Sequence, residues 1–435
     1  MRLIRLLKND IAREAAEWVD DDLISETQAE RICERYDVDY HRGQSRTVGY
    51  TVLLSLGYLF IALSLITLLG ANWDDIPRAV RMWGLIAATV GVQVYGLRIH
   101  QKGDVDRASL LFVLGNFIYG AAIILIAQTY HLGEHMPDGI FWWALGCLPF
   151  AVWLKHPVLM VQALALGLLW FFVEYGQNFY PTLFPVFIAA GVYGLYYGKR
   201  NLMVFMLVIF SIGFWVEASL AALWRDGRHL DLHAEHLLVT IAMFIFAYGL
   251  SHSMAKLDTV TAKDYAAVLA VWSLRFGLVL LFVLGFDEPW EELLSAKWQH
   301  LSSMAVISGL FLCAGLWLAQ RAGKLFPLSY IVAVFVISTA AVLGIRDSDY
   351  DFVFQVGANI TMVVLGVSLI LRGIQQGISH YFFLGICVIL LTAFARYVDL
   401  IGDYLGGSAL FLVFAIVLLA AARYWKHHKT LEEAA

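Results

Sequence analysis

The sequence predicts an all-α fold: a polytopic transmembrane helix bundle of about 14 spans, preceded by a small N-terminal cytoplasmic helical hairpin. Three observations predict it. Of the 435 residues, 60% are hydrophobic and only 15% are charged, against about 45–50% and about 25% in soluble domains. The mean hydropathy is +0.71, and such an apolar excess outruns a single soluble core, which stops growing near about 250–300 residues. The apolar residues also fall in repeated runs close to the length, about 17–25 residues, that carries a helix across a hydrocarbon layer.

The first 47 residues are polar and charged, which predicts a retained tail and not a cleavable signal peptide. Ser25-Glu26-Thr27-Gln28 fits a capping box, in which side chains satisfy the free amides of a helix start. Ile11, Ala15, Trp18 and Val19 fall on one helical face, and Ala29, Ile32, Cys33 and Tyr36 on another. Asp20-Asp21-Asp22 marks the turn. Such a hairpin is too small for catalysis and offers a surface to a membrane-protein partner.

Candidate spans then follow at 48–71, 79–97, 108–129, 139–154, 157–174, 182–197 and 201–224, and at 234–254, 264–286, 300–319, 326–345, 352–372, 379–399 and 405–424. The domain plan is therefore a hairpin over 1–47, a bundle over 48–424 and a cytoplasmic basic tail over 425–435. The runs at 139–154 and 182–197 are short. The tight Lys155-His156 link leaves a re-entrant pair over 139–174 as an alternative to two full spans.

Basic residues orient the chain. With the N-terminus in the cytoplasm, 22 of the 30 lysines and arginines fall on that side and six on the other, while Arg275 and Arg396 lie inside spans. This alternation predicts an even number of spans with both termini cytoplasmic. Acidic residues such as Asp138, Asp226, Asp287, Glu288, Glu291 and Glu292 gather on the opposite side, where they form either ordinary solvated loops or a cation-attracting face. No basic domain points to nucleic acid. Cys33, Cys147, Cys313 and Cys387 are too far apart for a disulfide framework or a zinc ribbon and read as small buried hydrophobes.

Polar groups inside lipid are costly, so each is a functional candidate. Glu217 and Arg275 lie within spans, and an ion pair between them would offset much of their desolvation, as a gate or as a static tie. Asn116, Gln128, Gln355 and Asn359 are further in-membrane amides. Gln355 and Asn359, four apart, share a helix face and either line a cavity or join helices. Arg396 and Asp399 are spaced for local pairing. His131-Leu-Gly-Glu134-His135 matches the H-x-x-E-H pattern of zinc peptidases, but Gly133 breaks the helix that chemistry requires. His229, His233 and His236, spaced i, i+4, i+7, would present three ligands if helical; solvated loop histidines are the plainer reading. No Gly-rich phosphate loop or nucleophile elbow appears. No cofactor is expected, and neither is catalysis, for which His131 with Asp74 is the only start.

Several segments resemble the bacterial predicted membrane protein family called domain of unknown function 2157. They are EWVDDDLISETQAERICERY in the tail, Gly70-Ala71-Asn72-Trp73-Asp74-Asp75-Ile76-Pro77 after the first span, and Ala127-Gln128-Thr129-Tyr130-His131-Leu132 with Pro137-Asp138-Gly139 and Trp143-Ala144-Leu145. Arg396-Tyr397-Val398-Asp399-Leu400 near the C-terminus is also similar. The resemblance implies a bacterial inner-membrane protein and brings no activity. It sharpens one site: Asn72, Trp73, Asp74, Gln128, Tyr130 and His131 all fall at the outer boundary, as a shared outer-facing site or as helix ends with Trp73 an interfacial anchor. Two function classes remain open. One is a secondary transporter or permease-like protein for a small solute or ion, with a polar midplane cavity. The other is a non-transporting envelope scaffold, sensor or assembly factor with a packed interior.

Overall fold

The computed structural model describes residues 77–399 except 132–134, 226–228, 231, 346–349 and 377–378, together with residues 23–35, scattered positions between 12 and 67, and Leu412. Among these residues every regular element is a helix. The segment holding Asn72, Trp73 and Asp74, most of the first candidate span and nearly all of the last lie outside the described residues.

In the tail, α1 spans Glu26–Arg35. The Ser25 amide donates to Gln28 Oε1 at 2.9 Å, which is the reciprocal bond of the capping box. Ala12 and Ala15 are buried with Ala29, Cys33 and Tyr40, whereas Trp18, expected on the apolar face, is exposed. Burial pushes the Cys33 thiol above its usual value.

The chain divides into two compact units, Met1–Asp231 and Leu232–Ala435. The first contains α2 (Arg78–Gln101), α3 (Val105–Tyr130), α4 (Met136–Leu154), α5 (Pro157–Gly176), α6 (Pro185–Tyr197) and α7 (Leu202–Leu223). Consecutive helices pack against one another and their links are short, so they alternate in direction. The starts are dictated locally. Asp104 accepts from the Arg107 amide and Asn201 from those of Met203 and Val204, satisfying donors a helix start leaves open. Proline near the first position starts α4, α5 and α6, where its missing N–H costs nothing. The region 139–174 forms two helices of 19 and 20 residues, each long and apolar enough to span by length and composition. α6 has only 13 residues, a length of about 20 Å against a hydrocarbon layer of about 30 Å.

The second unit contains α8 (Ala234–Met254), α9 (Val260–Val283), α10 (Glu288–Ser295), α11 (Leu301–Arg321), α12 (Leu325–Ile345), α13 (Asp351–Gln376) and α14 (Ser379–Asp399). α8 and α11 pack in parallel. The His300 amide, before α11, donates to Glu235 in the first turn of α8, and Lys256, just past α8, donates to the Arg321 carbonyl at the end of α11. Gly249 and Gly315 allow this approach: a Cβ at Gly249 would lie 2.7 Å from the Gly315 carbonyl oxygen. α10 lies in a segment read from the sequence as a loop. It buries Trp290, Leu293 and Leu294 against Leu284, Val342 and Ala358 and leaves Glu288, Glu291 and Glu292 exposed.

Eleven of the described helices (α2 to α5, α7 to α9 and α11 to α14) are long and apolar enough to cross a membrane, by length and composition. Of the about 14 spans expected from run length, the run at 182–197 becomes the short α6, and those at 48–71 and 405–424 fall largely outside the described residues. Cys33 and Cys147 are buried as expected, but Cys313 and Cys387 are exposed, as small apolar side chains on a helix face turned to lipid can be.

Candidate functional site

Three polar clusters stand out against the apolar background. The first runs through the interior of the first unit. Asn116, 1% exposed, uses both ends of its side chain: Oδ1 accepts from Gln93 Nε2 at 3.1 Å and Nδ2 donates to Gln162 Oε1 at 2.8 Å. Its main-chain oxygen accepts from Trp143 Nε1 at 2.8 Å, and Gln162 Nε2 returns to the Val113 carbonyl at 3.2 Å. This chain ties α2, α3, α4 and α5 together. Glycines admit its members: a Cβ at Gly115 would lie 2.8 Å from Gln93, and one at Gly120 would enter the Trp143 ring. Amides do not titrate, so the cluster carries no proton. Its chemistry is that of hydrogen-bonded helix joining, which lipid favours over unpaired amides. Asn116 was singled out from the sequence; Gln93 and Gln162, equally isolated in apolar runs, were not.

The second cluster closes one end of the first unit, where α3, α5 and α7 finish and α4 begins. His135 Nε2 lies 3.0 Å from Glu174 Oε2, with side chains 27% and 13% exposed, and the His135 ring meets Phe179 edge-on at 4.7 Å. Asn178, at φ 66°, accepts from the Leu230 amide at 3.1 Å, and Tyr175 Oη donates to the Leu230 carbonyl at 3.3 Å. The segment after α7 is thereby clamped to the end of α5. Tyr180 Oη and Ser219 Oγ are 2.7 Å apart. Gln128, Tyr130 and His131 are all exposed at the end of α3, and His131 closes that helix at φ 53° with its amide on the Ala127 carbonyl. His131 and His135 therefore belong to the end of one helix and the start of the next, and H-x-x-E-H does not form a helical ligand pair. Glu174, at the last position of the candidate span 157–174, and Asn178, just beyond it, went unnoticed in the sequence because each reads as the polar end of an apolar run.

The third cluster lies in the second unit. Glu235 is fully buried. One oxygen accepts from the His300 amide at 2.9 Å, and the carboxylate sits in the first turn of α8 beside the start of α11, where two helix dipoles favour negative charge. The His233 ring lies 6.3 Å from that of His236 and 5.6 Å from that of His300. α8 begins only at Ala234, and His229 is exposed in the first unit, so the i, i+4, i+7 spacing does not become a helical face. Among the described residues no group of three His, Cys, Asp or Glu side chains is disposed to hold a metal ion.

The remaining predicted residues fall elsewhere. Glu217 is half-buried on α7, within two turns of its end, and belongs to the first unit, whereas Arg275 belongs to the second. Arg275 is exposed and lies 5.5 Å from the Trp272 ring. Asn359 donates to the Gly285 carbonyl at 3.0 Å and to the Gln355 carbonyl at 2.8 Å, joining α13 to the end of α9. Gln355 is buried. The Arg396 guanidinium lies 5.3 Å from the Phe286 ring, and the side chain of Asp399 lies outside the described residues.

Residues 16–160 match the family model described as predicted membrane protein (DUF2157). No curated protein and no solved structure matches the chain. With its many apolar helices, this is a membrane protein whose matched family is one of unknown function.

Proposed function

We propose that the chain is a non-transporting envelope protein of a bacterial inner membrane that scaffolds or senses through its outer-facing end. One observation carries the reading: the mid-span amides of the first unit are consumed by one another. A secondary transporter or permease would ask Glu217, Arg275, Asn116, Gln355 and Asn359 to line a solvent-connected cavity. Asn116 is instead closed in by Gln93, Gln162 and Trp143, and Asn359 is spent on backbone carbonyls.

The outer end in this proposal is the one bearing His135 and Glu174, with exposed Gln128, Tyr130 and His131 beside them. Asn72, Trp73 and Asp74, which lead into α2, are assigned to the same face, and Arg396 and Asp399 to the outer boundary. The N-terminal hairpin over 1–47 and the tail over 425–435 lie in the cytoplasm, with the hairpin as the surface for a membrane-protein partner. Support comes from the uneven distribution of basic residues.

The native Cys147, buried one turn from Trp143, provides the test. In full-length protein with Cys33, Cys313 and Cys387 replaced by alanine, a small membrane-impermeant thiosulfonate is added to sealed vesicles from either side. Cys147 is expected to stay unmodified from both sides, while a cysteine placed at His131 reacts from one. Modification of Cys147 would reveal a water-filled route through the first unit and restore the permease reading.

A further inference from the structure

The opposite end of the first unit gathers cations. The links 102–104, 155–156 and 198–201 meet there, with Lys102, Lys155, Lys199 and Arg200 on them and Arg98 and Arg107 in the flanking turns. Lys155 stands at the end of α4 with φ 52°, its amide on the Ala151 carbonyl. That conformation turns its side chain across the end of α6, with Nζ 5.9 Å from the Tyr193 ring centroid and 5.7 Å from that of Tyr197. Gly198 packs against this link, since a Cβ there would lie 3.2 Å from the Lys155 carbonyl oxygen. Lys199 follows directly.

Two aspartates, Asp104 and Asp106, share this end. Among the described residues neither Lys155 nor Lys199 meets a carboxylate, and Asp106 is turned to His156 at 3.6 Å. His156 is held below its usual value, first by burial and then by the charge of Lys199, with Asp106 opposing. Around the lysines the surface is aromatic and open: Tyr196 is 80% exposed, Trp153 59% and Tyr197 58%. Tyrosine and tryptophan in such a position settle at the level of lipid headgroups. α6, with 13 residues, is about 10 Å shorter than the hydrocarbon layer, a mismatch that a bilayer meets by thinning locally.

We propose that Lys155, framed by Tyr193 and Tyr197, forms with the neighbouring Lys199 a binding site for the phosphate of an anionic phospholipid headgroup of the phosphatidylglycerol type. The ammonium groups supply the charge. The rings hold Lys155 in place by cation–π contact and offer apolar surface to the glycerol and upper acyl chain. A free phosphate ion would use the lysines but not the open aromatic faces, which is why a lipid is the occupant.

Native mass spectrometry of the full chain in a non-ionic detergent tests this, with phosphatidylglycerol or phosphatidylcholine of matched acyl chains added at defined ratios. The wild type is expected to retain phosphatidylglycerol at least several-fold better than phosphatidylcholine. Each lysine lost should cost roughly five-fold, so that Lys155→Gln with Lys199→Gln lowers retention by about thirty-fold, while Lys155→Arg with Lys199→Arg preserves it. Millimolar inorganic phosphate should not displace the lipid. Equal retention of the two lipids by the wild type would overturn the proposal without recourse to any variant. So would full displacement by inorganic phosphate, or undiminished retention by a folded double Gln variant.

Discussion

The two units hold their helices together by different means. In the first, glycines open space for a neighbour's side chain: Gly115 receives Gln93, Gly120 the Trp143 ring and Gly167 Phe187. An amide chain then runs across three helices and the Trp143 indole adds a fourth. In the second, glycines bring backbone against backbone. Gly249 meets Gly315, and a Cβ at Gly385 would lie 2.5 Å from the Gly366 carbonyl oxygen. Polar side chains there bond mainly to main-chain carbonyls, as Asn359 and Lys256 do. Lipid tails are as apolar as leucine, so helices in a bilayer gain little from hiding apolar surface from one another. Close small-residue packing and interhelical hydrogen bonds are the two alternatives, and this chain uses one predominantly in each unit.

The contrast can be broken most directly at the glycines. Gly385→Val forces branched carbons into a fixed backbone, and a loss of about 3 kcal/mol or failure to fold is expected. Gly115→Ala meets only a movable amide and should cost about 1 kcal/mol. Thermal unfolding in detergent compares them, and equal losses would erase the distinction. Next in size, Asn116→Leu strands the buried amides of Gln93 and Gln162 and should cost about 2 kcal/mol. Its cycle with Gln162→Leu should show coupling of about 1 kcal/mol; strict additivity would mean the chain is not a unit. In the second unit Glu235→Leu removes the acceptor of the His300 amide, for a loss of about 1 kcal/mol, read by faster amide exchange at the start of α11.

The smallest effect concerns pH. The folded state holds His156 below its usual value, so between that depressed value and the ordinary one near about 6.5 the unfolded chain binds more protons. Stability therefore rises with pH across this window and declines as pH falls from 7 toward the depressed value. The same titration in His156→Phe should lose that part of the slope; an unchanged slope would assign it to other groups.

Much of the helix plan was readable because composition alone announces lipid as solvent and span length is set by the bilayer. The links at 102–104, 155–156 and 322–324 fall where charge interrupts apolar runs. α10 was missed although Trp290, Leu293 and Leu294 have helical spacing, since eight residues with three acids resemble a loop until the surface they cover is known. Among the site residues, Asn116 was visible as a lone amide, but its partners lie 23 and 46 residues away, beyond the reach of local pattern.

The sequence by itself determined that this chain belongs in a membrane, where most of its helices begin and end, and which links carry basic charge, because hydrophobicity, capping and charge act over a few residues. Only the tertiary structure decided that Asn116 joins Gln93 to Gln162, that His135 meets Glu174 and that Gly385 lies against Gly366. In lipid every face of an apolar helix is equally content, so periodicity does not mark the packed one, and the partners are chosen by shape and by hydrogen bonds between distant parts of the chain.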